Sequence, residues 1–253
     1  YSDKATYLKN DEIVFTEGNS KAINENNTIT ATNFRFDKKK NILDAEKKVK
    51  FIDNKKDTII YSDKATYLKN DEIVFTEGDT SAIIEKEYNF KSKNVKYSKK
   101  NLELSSQNTS SVIDGSGNIY KSDNFVYLIK ERLLKGSKLN IISKVDDDRN
   151  DNYFFSNGYF NLKSKTFIAK DTRIKVHKDA LGDDEQDPRI YGVSSYGDEN
   201  KTIINRGVFT SCKIKGDCPP WKIESKIITH DKIKRDLIYD DAILKVYNVP
   251  VLY

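Results

Sequence analysis

The chain has 253 residues, enough for one large all-β domain or two small ones. Only 37% of the residues are hydrophobic and 33% are charged, yet Tyr and Phe are frequent; this excludes a disordered composition and suits strands with one apolar and one wetted face. The 44 basic and 39 acidic residues leave a charge of +5, spread along the chain. That balance accommodates an anionic partner, lacks the clustered charge of a nucleic-acid binder, and comes with no apolar run near the ~20 residues of a membrane-spanning helix.

Read from the start, the chain repeats itself. Residues 1–18 read YSDKATYLKNDEIVFTEG, and residues 61–78 repeat that string letter for letter. A weaker copy around Phe36 (FRFDKKKNILDAEKKVKF) lies between them, and others centre on Tyr97 (VKYSKKNLEL), Tyr127 (FVYLIKERLLKG) and Phe160 (GYFNLKSKTFIA). The unit is about 30 residues, the period of stacked arrays. Each unit has a strand ending in an aromatic residue, a Lys/Asn/Asp turn, and a second strand opening with Ile or Leu. Alternation is plain at Leu102-Glu103-Leu104, Ile174-Lys175-Val176 and Leu244-Lys245-Val246, so one face points in and the other out. No segment combines a helix cap, an apolar stripe and a stop signal.

The first 187 residues contain no proline, which permits an uninterrupted ladder. Residues 179–200 are rich in Gly, Asp and Ser and include Pro188. They are expected to form a loop between a strand-repeat domain, residues 1–178, and C-terminal strands, residues 201–253. The chain opens inside a repeat, carries no initiator Met and stops at Val251-Leu252-Tyr253, so it reads as a piece of a longer protein. The end strands of such an array expose unpaired N–H and C=O groups, which a partner's strand could continue.

The last third carries a more particular pattern. Gly207-Val208-Phe209-Thr210-Ser211-Cys212 is followed by Cys218-Pro219-Pro220-Trp221-Lys222-Ile223, then by Asn248-Val249-Pro250-Val251-Leu252-Tyr253. This resembles the stretch that precedes the membrane barrel in the LptD family of outer-membrane lipopolysaccharide-assembly proteins. The upstream repeats resemble the periplasmic β-domain of the wider OstA-like group. The resemblance implies an all-β fold: a V-shaped antiparallel β-jellyroll, open along one side, preceding an outer-membrane β-barrel that is absent from this sequence. It implies a non-enzymatic task at the periplasmic face of the outer membrane of a Gram-negative bacterium, in which lipid A acyl chains ride in an apolar groove toward the barrel. The implied partners are lipopolysaccharide, an LptA-like periplasmic bridge joined by edge-strand addition, and an LptE-like lipoprotein through the missing barrel. No cofactor and no nucleic acid is implied.

Candidate groove residues are Ile13, Phe15, Phe34, Phe36, Tyr67, Ile73, Phe75, Tyr97, Leu102, Leu104, Phe125, Tyr127, Leu133, Phe160 and Phe167. The same positions also suit a plain sandwich core, and a one-residue slip would reverse any strand's faces. Cys212 and Cys218 are the only cysteines. A periplasmic location implies disulfide bonding, either with each other or with partners in the barrel. A zinc site needs about four ligands, and His177 and His230 lie far from the cysteines in sequence. Lys38-Lys39-Lys40, Lys55-Lys56 and Lys99-Lys100 read as hairpin tips that could also meet lipid phosphates, and the run from Asp146 to Asp151 reads as a turn without EF-hand spacing. Trp221 is expected to anchor the C-terminal strands.

Three other readings compete: a free LptA-like bridge, a β-helix carbohydrate-active enzyme, and a repeat adhesin. The Cys/Trp segment and its V-P-V-x-Y exit weigh against a bridge and an adhesin. The scatter of Asp and Glu over turns weighs against an enzyme that needs two carboxylates about 5–9 Å apart.

Overall fold

The computed structural model describes residues 1–144, 150–177, 186–212 and 220–253. Among the described residues there is no helix, strands make up 72%, and the antiparallel sheet includes a small closed barrel. The chain forms two compact units, Tyr1–Gly115 with Asp123–Glu131, and Ser116–Ser122 with Arg132–Tyr253.

The first unit contains β1 (Lys4–Leu8), β2 (Ile13–Ile23), β3 (Asn27–Asp37), β4 (Ile42–Asp53), β5 (Thr58–Leu68), β6 (Ile73–Ile84), β7 (Tyr88–Lys93), β8 (Lys96–Ser98), β9 (Glu103–Ser106), β10 (Ser110–Ile113) and the Asp123–Leu128 part of β11 (Ile119–Leu128). Strands β1 to β6 pair in chain order, after which β6 pairs with both β7 and β8. The long strands share a mid-strand irregularity. Register shifts fall between Glu17 and Ser20, Thr30 and Asn33, Glu46 and Val49, and Ser62 and Lys64. Asn19, Lys47, Lys48 and Gly78, at the same level, have φ of 40°, 63°, 54° and 80°. A bulge with a left-handed residue bends its strand, and bulges at one level on neighbouring strands form a seam that divides each strand into two halves.

Each half has its own inward row. In one, Val14, Phe36, Leu43, Tyr67, Val74, Tyr97, Leu104 and Tyr127 stand opposite one another in succession across β2 to β11. In the other, Ile29, Phe51, Ile60, Ala82, Phe90 and Val112 do the same, with exposures of 5, 1, 2, 1, 0 and 2%. The two rows meet. The Phe51 ring lies 5.8 Å from Tyr67 and 6.1 Å from Tyr97, and Phe90 lies 4.9 Å from Phe125. One buried polar contact also joins the halves: the Tyr97 hydroxyl donates to Asp53 at 3.0 Å, and Lys99 sits 3.9 Å from the same carboxylate.

The second unit contains β12 (Leu133–Lys144), β13 (Asn150–Asn161), β14 (Phe167–Lys175), β15 (Arg189–Gly197), β16 (Lys201–Thr210), β17 (Trp221–Asp231), β18 (Asp236–Val246) and β19 (Val249–Leu252), paired antiparallel in chain order. Its strands carry left-handed residues at mid-length as well: Lys138, Asp171, Arg206 and Asp241, at φ of 48°, 51°, 48° and 51°. Phe155, Phe160 and Phe167 cluster inside, the last two stacked 5.0 Å apart. Phe209 contacts Trp221 at 5.9 Å and Tyr239 at 6.1 Å, so Phe209 ties β16 to β17 through Trp221 and to β18 through Tyr239.

The segment expected as a loop, residues 179–200, carries strand β15 over Arg189–Gly197; residues 178–185 lie outside the described residues. Its glycines mark close packing. A Cβ on Gly192 would run into Ile204 of β16, and one on Gly197 into the backbone of Lys201. Ile190 and Ser195 are fully buried and hold the strand in the sheet.

Packing of this kind makes the two faces of one strand unequal. Phe90→Ala, at a site with no exposure, is expected to destabilise the chain by about 3–5 kcal/mol in urea denaturation. Phe75→Ala, at a site 39% exposed, is expected to change stability by less than about 1.5 kcal/mol.

Candidate functional site

The structure sorts the candidate groove residues into two faces. Phe34, Phe36, Tyr67, Tyr97, Leu104, Phe125 and Tyr127 point into the first unit, and Phe160 and Phe167 into the second. Phe15 and Phe75 are 37% and 39% exposed, on the opposite face, in one row with Arg35, Asp44, Thr66 and Lys96. Ile13 and Ile73, two residues back, share that face. Leu133 also lies outward, next to the fully buried Leu134. Leu102 occupies the turn before β9 with φ of 53°. These misassignments come from runs such as Ile13-Val14-Phe15, where three apolar residues in succession leave the phase open. The missed inward residues are Val14, Val74 and the whole second row. The sequence held one usable clue: Glu17 and Glu77 share a face with Phe15 and Phe75, and a charge two residues away marks the wetted side.

Within the first unit the interior is filled around Tyr88, Phe90, Tyr97, Leu104, Phe125 and Tyr127, none more than 1% exposed. Toward β2 it opens into a cavity of about 300 Å³ lined by Val14, Ile29, Phe34, Phe36, Leu43 and Tyr67. That volume is at the lower end of the range for small-ligand sites, about 300–1,000 Å³. Asn27 on its wall donates to the Tyr67 hydroxyl at 3.4 Å, and Lys21 and Lys69 complete the polar side. Burial raises the Tyr67 hydroxyl above its usual range, aided by the charges of Glu72 and Asp53; it stays protonated and neutral.

The perfect repeat shows why the cavity is there. The same 18 residues occur twice, in different surroundings. Tyr67 is 7% exposed and Tyr7 is 49%; Ala65 is 8% exposed whereas Ala5 is exposed; Val74 is 1% exposed whereas Val14 is only half-buried. In the second copy, β4 lies against β5, with Leu43 opposite Tyr67 and Ala45 opposite Ala65. In the first copy β1 is paired to β2, and all five of its residues are exposed.

No protein-family model matches this chain, and no curated protein does. The chemistry of the site therefore rests on its own residues.

The second unit holds a different cluster. The Tyr153 hydroxyl donates to Asp151 at 3.4 Å, and the other Asp151 oxygen accepts from the His177 backbone at 3.0 Å. Lys232 sits 5.1 Å over the Tyr153 ring and donates to the Asp198 carbonyl at 3.3 Å. His230 is 6% exposed, with no partner for its Nδ1. Burial lowers the affinity of His230 and of Lys232 for their protons, although Asp151 opposes both shifts. Among the described residues no group of three His, Cys, Asp or Glu could hold a metal ion. Cys212 is half-buried, its Sγ 3.9 Å from the Trp221 carbonyl; Cys218 and residues Asp146 to Arg149 lie outside the described residues.

The buried histidine gives stability a pH dependence. Its folded pKa lies below the ordinary value of 6.5, so the unfolded chain binds the proton first as pH falls. Stability should be full above pH 6.5 and decline as pH drops toward the lowered folded value. His230→Gln is expected to flatten that decline in thermal melts between about pH 7.5 and 5.5.

Proposed function

We propose that the chain carries the acyl part of a glycolipid of the lipopolysaccharide class, that it does no chemistry on it, and that the cavity at the start of the first unit is where the acyl chain enters. The observation that carries this reading is the cavity itself: an apolar pocket of about 300 Å³ whose wall is the inward row of the repeat. Apolar side chains on paired strands, left partly uncovered, offer a hydrocarbon chain the burial that they otherwise give each other, at about 0.8 kcal/mol per methylene. Lys21 and Lys69 on the same wall suit the anionic head that such a lipid bears.

The uncovered side of β1 supports the rest of the proposal. A strand laid there in the manner of β4 would place its residues against Tyr7 and Ala5 as Leu43 and Ala45 lie against Tyr67 and Ala65. An LptA-like bridge would supply that strand by edge addition and extend the apolar row from one protein into the next. In this reading the chain works at the periplasmic face of an outer membrane, as an open-sided jellyroll that hands the lipid to a β-barrel with an LptE-like lipoprotein beside it. The C-terminal Cys/Trp segment and the Val249-Pro250-Val251 exit are the sequence features that favour this over a free bridge, an adhesin or a carbohydrate-active enzyme.

Photo-crosslinking tests the cavity. A photoreactive residue at Ile29 or Phe36 is expected to capture lipopolysaccharide, and one at Phe75, on the outer face, is not. Equal capture from all three positions, or capture from Phe75 alone, would show that the lipid does not enter between the halves.

A further inference from the structure

The outer surface of the first unit is two-sided in its chemistry. Over the half that ends at β1, three ion pairs join neighbouring strands: Lys4 with Glu17 at 3.5 Å, Arg35 with Asp44 at 3.3 Å, and Lys64 with Glu46 at 3.5 Å. Over the other half, the row Thr30, Lys50, Tyr61, Ser81, Lys91 runs across β3 to β7 on the outward side of the buried row that contains Phe51 and Phe90. Among the described residues no carboxylate pairs with its lysines. Lys50 lies 5.6 Å over the Tyr61 ring, and among the described residues Lys91, Thr30 and Ser81 have no side-chain partner. These residues, together with Lys48, line an open groove of about 730 Å³. Of its two acidic residues, Asp79 is paired with Lys93 at 3.4 Å, and Asp63 sits at the bend of β5.

We infer that this groove binds a linear acidic saccharide, a chain of sugar rings bearing sulfate, phosphate or carboxylate groups. The row is long and sparse: Lys50 and Lys91 are three strand spacings apart, about 14 Å, too far for one small anion to bridge. The unpaired hydroxyls of Thr30 and Ser81 lie between and beside them, where sugar hydroxyls can both donate and accept. A single-stranded nucleic acid fits less well. Such strands are held by aromatic faces on which bases stack, and here the one aromatic ring is covered by Lys50. The rigid sheet beneath, with Phe51, Ile60 and Ala82 no more than 2% exposed, fixes the spacing of the row. The groove is on the opposite face of the sheet from the apolar cavity, so the inference stands or falls separately from lipid carriage.

Titration calorimetry of the whole chain with a heparin-derived hexasaccharide tests it. Binding is expected at about 0.15 M salt. The double variant Lys50→Gln, Lys91→Gln is expected to bind at least about tenfold more weakly and to lower the slope of log K against log salt by about two. Lys4→Gln with Lys64→Gln removes the same charge from the paired half and should change affinity by less than about twofold. Thr30→Ala with Ser81→Ala should weaken the saccharide while leaving the salt slope unchanged. Equal losses in the two lysine pairs would reduce the effect to net charge and overturn the inference. So would absence of binding by the unaltered chain, or tighter binding of a single-stranded oligonucleotide lost in the same Lys50, Lys91 variant.

Discussion

A long β-strand can bury both of its ends against itself only if it bends, and here every long strand of the first unit bends at one level. The bend is made by bulges with left-handed residues such as Asn19, Lys47, Lys48 and Gly78. For a residue with a Cβ, that conformation costs about 1–2 kcal/mol. The cost is offset by what the seam allows, which is contact between the aromatic rows on either side of it: Phe51 with Tyr67 and Tyr97, and Phe90 with Phe125. Without the seam the same strands would form one flat sheet with an uncovered apolar face. The cavity, the filled interior and the outer groove all take their positions from this bend.

The interior that results is polar at selected points. Asp53, 1% exposed, accepts from the Tyr97 hydroxyl and lies near Lys99, so neither the carboxylate nor the phenol is stranded. Burial, and after it the charge of Asp53, hold the Tyr97 phenol far above its usual range, which keeps it a donor at any physiological pH. Such contacts are directional, and this one joins the far end of β4 to β8 across the seam. It specifies how the halves meet in a way that interchangeable apolar side chains cannot.

Much of this is legible in the amino-acid sequence. Alternation and the repeated turn chemistry give strands, and the spacing of the aromatic residues gives the array. The face of each strand was harder. At Ile13-Val14-Phe15 and Ile73-Val74-Phe75 the larger ring invites an inward assignment, yet Val14 and Val74 point in, because Phe15 and Phe75 are in phase with Glu17 and Glu77. The seam was not legible, since Lys47-Lys48 reads as ordinary strand surface and only the backbone reveals its left-handed turn. In the segment after residue 178, Gly192 and Gly197 read as flexible, but they are small so that β16 can approach. The cavity could not be read from local sequence at all, because it depends on which strands lie next to a given copy of the repeat.

The duplicated 18 residues separate these influences. Tyr7 and Tyr67 have the same flanking sequence and exposures of 49% and 7%, while Phe15 and Phe75 have exposures of 37% and 39%. Neighbours set the fate of inward residues, while the outward Phe15 and Phe75 are nearly equally exposed in the two places. One face of a repeat can therefore change its chemistry without disturbing the other, as the first unit displays: its outer surface passes from paired charges to unpaired lysines, while the rows beneath both remain apolar. An array built this way can hold one kind of ligand between its halves and a different kind along its outside, with the sheet itself as the only part common to both.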